Sequence, residues 1–270
     1  MRFQKQSLIR QLILLSSAAI LSISAMATDF SQTQVLAHQG DSIAQYNLGV
    51  MYYNGEGVPQ NHAKAIEWYT KAANQGDTEA QFNLGVMYEN GTGVPQNYAK
   101  AVEWYTKAAN QGNAIAQFNL GIMYETGKGV PQDYGKAKKW YIKAANHGHA
   151  KAQYNLGVMY NTGKGLRQDY DKAIKWYTKA ANQGLAQAQY NLGLMYEDGY
   201  GVQENTAKAF DLYTKAANQE LAEAQYSLGI LHIMGYGVRQ DYTIAQKWFS
   251  QSCDNGFHDA CDITKSLNPQ

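Results

Sequence analysis

The chain has 270 residues, a net charge of +1 and only four prolines. Its first 27 residues carry Arg2, Lys5 and Arg10 and no acid, which leaves the rest at −2, with 20 basic residues against 22 acidic. Nothing in that balance predicts nucleic acid or an anionic membrane as partner, and the abundance of tyrosine, 21 residues, follows from a repeat that carries several tyrosine columns.

The N-terminus reads as an export signal. A basic start is followed by a mostly apolar run from Leu12 to Ile23. Ala25-Met26-Ala27 then supplies a small-x-small cleavage pattern. The run is Ser-rich and too short for a bilayer span of about 20 residues. The expectation is a signal over 1–27 and a mature chain near Thr28, in the periplasm or secreted, with no stable membrane insertion afterwards.

The rest is one repeated unit. Leu-Gly falls at Leu48-Gly49, Leu84-Gly85, Leu120-Gly121, Leu156-Gly157, Leu192-Gly193 and Leu228-Gly229, always 36 residues apart. A fixed period of this length marks a solenoid, in which each unit buries its apolar face against its neighbours. Residues 28–40 continue the register backwards as a worn second helix, with Gln32 in the column of Trp68 and Val35 to Gly40 in that of Lys71 to Gly76. This half-repeat is expected to cap the N-terminus. Six repeats occupy 41–258. Residues 259–270 hold a fragment of a seventh first helix, with Thr264-Lys265 in place of Leu-Gly, expected to cap the other end.

Each unit predicts two helices. In the first, Ala44, Leu48, Met51 and Tyr52 recur at helical spacing. Gly49 sits inside it, where it costs about 1 kcal/mol relative to Ala, so two helices are expected to approach closely there. Gly55 supplies a left-handed stop. The second helix begins at a column of N-caps, Asn61, Asn97, Asp133, Asp169, Asn205 and Asp241. Ala65, Trp68, Tyr69, Ala72 and Ala73 form its apolar stripe. Unit five departs at Leu212 and Glu220. Unit six departs at His232, Phe249 and Cys253.

The pattern Ala-x-x-x-Leu-Gly-x-x-Tyr-x-x-Gly-x-Gly-Val, then Lys-Ala-x-x-Trp-x-x-x-Ala-Ala-x-x-Gly, resembles the Sel1-like repeat family, relatives of tetratricopeptide repeats. The resemblance covers about 35–265. It implies an all-α, right-handed α-solenoid of antiparallel helix pairs, six 36-residue repeats with partial caps, used as an adaptor or regulator in protein complexes. Cys253 and Cys261 bridge the end of one second helix and the next first helix. The secreted cysteine-rich Sel1-like proteins are similar, with a disulfide at this place in most units. With an export signal and two cysteines in all, a disulfide is the simplest reading.

Those relatives are described as penicillin-binding and weakly β-lactam-hydrolysing, so a weak β-lactamase-type hydrolase is the rival reading, and a secreted effector binding host protein is a third. The chain has no Ser-x-x-Lys and no His-Glu-x-x-His. The Gly121 to Gly129 string has the wrong spacing for a phosphate loop. His147 and His149 lack an evident third ligand. No catalytic residue, metal site or cofactor is assigned.

Recognition of a protein or peptide is the preferred function, with nucleic acid excluded. In related tetratricopeptide solenoids the first helices line the concave face. Two columns are expected there, the aromatics Tyr46, Phe82, Phe118, Tyr154 and Tyr190 and the amides Asn47, Asn83, Asn119, Asn155 and Asn191. Amides can bond a peptide backbone, and aromatics give contact area at low entropy cost. Because Asn is a poor mid-helix residue, some interaction offsets its cost, either bonding between helices or binding of ligand. A variable column, with Glu89, Glu125 and Glu197, would favour a basic or amide-rich ligand segment. Drift on a solvated face is the equal alternative.

Overall fold

The computed structural model describes residues 29–267. The predicted signal over 1–27 lies outside the described residues. Every regular element among them is a helix: α1 (29–38), α2 (Ser42–Asn54), α3 (His62–Asn74), α4 (Thr78–Asn90), α5 (Tyr98–Asn110), α6 (Ala114–Thr126), α7 (Tyr134–Asn146), α8 (Ala150–Thr162), α9 (Tyr170–Asn182), α10 (Ala186–Asp198), α11 (Thr206–Ala217), α12 (Ala222–Met234), α13 (Tyr242–Asp254) and α14 (His258–Leu267). The fold is an all-α solenoid of helix pairs, and it forms two compact units that divide between Gln132 and Asp133.

Capping explains why each helix starts and stops. Asn61, Asn97, Asp133, Asp169, Asn205 and Asp241 each accept a bond from the backbone N–H three residues on. The first helices carry a second capping ladder that the repeat pattern does not announce: Asp41, Asp77, Asn113 and His149 cap in the same way, and Leu185 and Leu221 do not. Each first helix from α2 to α12 ends at a left-handed glycine, such as Gly55 with φ 79°.

In the unit that ends at Gln132, α1 stands where a second helix would stand. Ala37 is buried with Ala44, Leu48, Tyr52 and Trp68 in one core that runs on to Met87. Phe30 meets Tyr52 edge-on, with centroids 5.8 Å apart. The glycine inside the first helix lies flat on a tyrosine. A Cβ at Gly85 would come within 2.4 Å of the Tyr105 ring, and one at Gly49 within 2.6 Å of the Tyr69 ring. This is the close approach that the cost of glycine predicts.

The unit that begins at Asp133 repeats this packing, with Gly157 on Tyr177 and Gly193 on Tyr213. Tyr177, Tyr213 and Phe249 are fully buried. Glu220 takes the left-handed position that glycine holds in the earlier repeats, at φ 63°. Cys253, in α13, and Cys261, in α14, stand at disulfide distance, their Cα atoms 4.8 Å apart.

A buried polar column also holds each unit together. Gln45 donates from Nε2 to the carbonyl of Ala37 (3.0 Å) and accepts from Gln75 (2.7 Å). Gln81 bonds Ala73 and Gln111 likewise. Gln189 and Gln225 do the same in the second unit, with Asn255 replacing the glutamine partner of Gln225. Buried amides persist only when bonded. Each glutamine here adds a second bond to a helix C-terminal carbonyl that already accepts the backbone N–H three residues on.

Candidate functional site

The predicted recognition columns sit on the first helices, and the structure gives most of these side chains an aromatic neighbour. Tyr46 is half-buried, 5.7 Å from the Tyr69 ring. Phe82 lies 5.8 Å from Tyr105, Tyr154 lies 5.9 Å from Tyr177 and Tyr190 lies 5.5 Å from Tyr213. Phe118 is half-buried too. The aromatic column therefore rests on the buried tyrosine of the second helix in its own repeat. Each residue of the column is half-buried.

The amide column faces those same tyrosines. Asn83 stands beside the hydroxyls of Tyr46 and Tyr69, one repeat back, and favours their charged forms. Asn119 does so at Tyr105. Asn191 donates to the hydroxyls of Tyr154 and Tyr177, each at 3.4 Å. Ser227, which ends the column, stands likewise beside Tyr190. Asn47 is exposed, while Asn83, Asn119, Asn155 and Asn191 are half-buried. The reason is positional: one repeat before Tyr69 the chain carries Thr33, so Asn47 has no second-helix tyrosine to bond. An amide has two donor hydrogens and two acceptor lone pairs. The bonds to tyrosine leave part of that capacity for a ligand.

The acidic column is likewise engaged. The Tyr105 hydroxyl donates to Glu89 at 2.6 Å, and the Tyr213 hydroxyl donates to Glu197. Glu125 is half-buried. Burial is the largest cause that raises these tyrosines above their ordinary value, and the adjacent carboxylate adds to it at Tyr105 and Tyr213. Burial first, helped by the nearby Tyr154, pushes Tyr177 up to about 12, against the bonds from Asn191 and Asn161 that favour its charged form. All are neutral hydrogen-bonding groups at physiological pH.

Between consecutive first helices these columns line a recess. In the first unit Tyr46, Tyr53, Tyr69, Asn83 and Val86 bound about 260 Å³. In the second, Asn161, Tyr170, Asn191, Leu194 and Asp198 bound about 290 Å³. Tyr53 and Asn161, Asn83 and Asn191, and Val86 and Leu194 stand in the same columns, three repeats apart. Each recess can hold one side chain, with an apolar floor and an amide at its wall.

His149 accepts the Ala152 N–H through Nδ1 at 3.2 Å and caps α8. Burial, then the charge of Lys151, lowers its pKa. Among the described residues no group of three or more His, Cys, Asp or Glu is placed to hold a metal. No helix among them is long and apolar enough to cross a membrane.

Residues 42–77, 78–113, 114–149, 150–185, 186–221 and 222–257 each match the Sel1 repeat model. The chain belongs to the Sel1 repeat family. It is similar to the crystal structure of c5321, described as a protective antigen of uropathogenic Escherichia coli strains displaying an SLR fold. The two share 39% identity and a TM-score of 0.85, over 88% of this chain and 51% of that one. A Sel1 repeat protein from Oxalobacter formigenes is 35% identical with a TM-score of 0.76, over 87% of this chain and 68% of that one. A putative sel1-like repeat-containing protein, L18, of Acanthamoeba polyphaga mimivirus is 55% identical over 40 residues, which are 15% of this chain and 7% of that protein. This Sel1 chain thus spans about half of c5321 and a small part of L18. It is a Sel1-repeat scaffold, of a fold typically used for protein–protein interaction.

Proposed function

We propose that this Sel1 chain is an exported, non-catalytic scaffold that binds an extended protein or peptide segment across its first helices. The observation that carries the reading is a recess in each unit that shares the columns of Tyr53, Asn83, Val86 and Met87, with the aromatic column added in the first. An extended peptide places alternate side chains on one side, so a ladder of side-chain-sized recesses with amide walls suits it. Tyr46, Asn47, Phe82, Asn83, Phe118, Asn119, Tyr154, Asn155, Tyr190 and Asn191 would supply the contact surface. Glu89, Glu125 and Glu197 would bias it towards basic or amide-rich segments. Export rests on the basic and apolar start of the chain, and on a cysteine pair at disulfide distance, which suits an oxidising compartment.

The test is selection of a random-peptide library on the purified mature chain, followed by variants Val86→Arg and Leu194→Arg. Each arginine would fill its recess from a half-buried position. Peptides that bind the parent and lose at least about tenfold in affinity, 1.4 kcal/mol, in one or both variants are expected. Selected peptides indifferent to both variants would move the binding face elsewhere.

A further inference from the structure

The second helices carry a ladder of their own. In four repeats a lysine ammonium lies over the tryptophan three residues before it. The distances to the ring centroid are 3.8 Å for Lys71 over Trp68, 3.9 Å for Lys107 over Trp104, 4.1 Å for Lys143 over Trp140 and 4.5 Å for Lys179 over Trp176. The ring face is electron-rich and attracts a cation held there. Repeat five keeps Lys215 but has Leu212 for the tryptophan. Repeat six does the reverse: it keeps Trp248 and has Gln251 where the lysine belongs. Among the described residues, no cation lies over Trp248.

The surroundings of Trp248 change in a matching way. The glycine that follows each second helix becomes Glu220, and the asparagine that ends it becomes Asp254. Glu220 keeps the left-handed backbone of the glycine it replaces, φ 63°, which a side chain adopts at a cost. The glutamine after the helix shortens to Asn255, which reaches Gln225. Together these residues bound a recess of about 370 Å³, with Trp248, Gln251, Glu220 and Asp254 in its lining. The C-termini of α11 and α13 both end there, and the aligned peptide dipoles give each helix end a partial negative charge.

We infer that this recess binds a primary alkylammonium from outside the chain, seated over Trp248 where the other repeats seat their own lysine. Trp248 supplies the ring face, and Glu220 and Asp254 supply the counter-charge. The aliphatic tether of the ammonium runs along the slot vacated by a lysine stem. Lysine side chains of a protein partner and free polyamines share this chemistry. The site lies on the second helices, so it is independent of the first-helix recesses and of the peptide reading built on them.

The experiment uses the full mature chain with isotope-labelled tryptophan. The Trp248 indole resonance is assigned by its loss in Trp248→Phe. Two ammonium probes are titrated: cadaverine, and a short capped peptide with one lysine. The same peptide with its lysine acetylated is the control. A saturable shift of the Trp248 indole by both ammonium probes and not by the acetylated peptide is expected. Saturation by the peptide at lower concentration assigns the source to protein lysines, and by cadaverine to free polyamines. Gln251→Lys returns the repeat's own ammonium to the ring and should weaken the probes about tenfold or more. Glu220→Gly and Asp254→Asn also restore residues of the earlier repeats, so they keep the fold and should weaken binding by removing counter-charge. The other four indoles report that the fold is intact. A Trp248 indole unmoved by either ammonium probe would overturn the assignment, as would equal binding to the Gln251→Lys variant.

Discussion

Replacing glycine by alanine at two helical sites of this chain should have opposite effects, and the structure gives the size of each. At Gly157 a new methyl would lie 2.4 Å from Cδ1 and 2.5 Å from Cε1 of Tyr177. Carbon atoms rest at about 3.5–4.0 Å, so the ring must move by roughly 1 Å. It has nowhere to go, because Tyr177 is fully buried and its hydroxyl is bonded to Asn191. Overpacking of this kind costs about 1–3 kcal/mol. The helix itself gains about 1 kcal/mol when glycine becomes alanine. The net for Gly157→Ala is a loss centred on about 1 kcal/mol. At Gly135, on the exposed first turn of α7, the methyl would meet only Asp133 Oδ1, at 3.2 Å. Gly135→Ala should therefore stabilise, by up to about 1 kcal/mol. Urea unfolding followed by far-UV circular dichroism gives the two midpoints. Amide exchange shows whether the loss is confined to α8 and α9, as a chain of nearest-neighbour units requires. A Gly157→Ala protein as stable as its parent would refute the claim that close approach, rather than ancestry, keeps this glycine.

Three further outcomes follow from the buried groups. Tyr177, Tyr105 and Tyr213 are raised above their ordinary pKa by burial first. At Tyr177 the stabilising effect is complete below about pH 10 and lost as pH rises through about 12, worth roughly 3 kcal/mol, and at Tyr105 and Tyr213 it persists to higher pH. Alkaline unfolding should coincide with a jump in phenolate absorbance, and titration of all tyrosines near pH 10 with helicity retained would contradict it. His149 has a lowered pKa, so the neutral ring is favoured in the fold and stability falls as pH drops below about 6.5. His149→Asn, which restores the amide cap of Asn113, should flatten that dependence, measured as the urea midpoint between neutral and mildly acidic pH, whereas an unchanged slope would locate the titration elsewhere. The Cys253–Cys261 pair closes a loop with a sequence separation of 8 residues, which stabilises by roughly 2.6 kcal/mol in the chain-entropy model. Reduction should lower exchange protection in α13 and α14 and leave α8 to α10 unchanged. Equal loss along the chain would show that the pair supports more than the last repeat.

What can be read from the sequence divides along a physical line. Features within one helix pair are legible. The Leu-Gly period, the caps at Asn61 and its column, and the glycine that lets a tyrosine approach all depend on residues close in the chain. Features that join one repeat to the next are not. The buried column of Gln45, Gln81, Gln117, Gln153, Gln189 and Gln225 is hidden, because a glutamine beside alanine reads as surface until the neighbouring helix end is placed over it. The clue to it is a polar residue repeated without variation, beside the most buried alanine of the helix. The caps at Asp41, Asp77, Asn113 and His149 are local yet obscured for a different reason, since the column drifts to Leu185 and Leu221.

The asparagine column shows why such ladders resist assignment to structure or to function. Asn191 bonds tyrosines of the preceding repeat and Asn83 faces the hydroxyls of Tyr46 and Tyr69, which answers the need to offset the cost of asparagine within a helix. Yet each of these amides also stands at the wall of a recess. A ligand that met them would find donors and acceptors already ordered, and would not bear the entropy of ordering them. Interrepeat bonding therefore prepares the amides for recognition instead of competing with it. On this argument, replacing the tyrosine rather than the asparagine separates the two roles. Tyr177→Phe leaves Asn191 in place but loosens it. If selected peptides then bind more weakly while their contacts to Asn191 persist, the ladder serves both purposes. If affinity is unchanged, the bond to Tyr177 serves only the stacking of repeats.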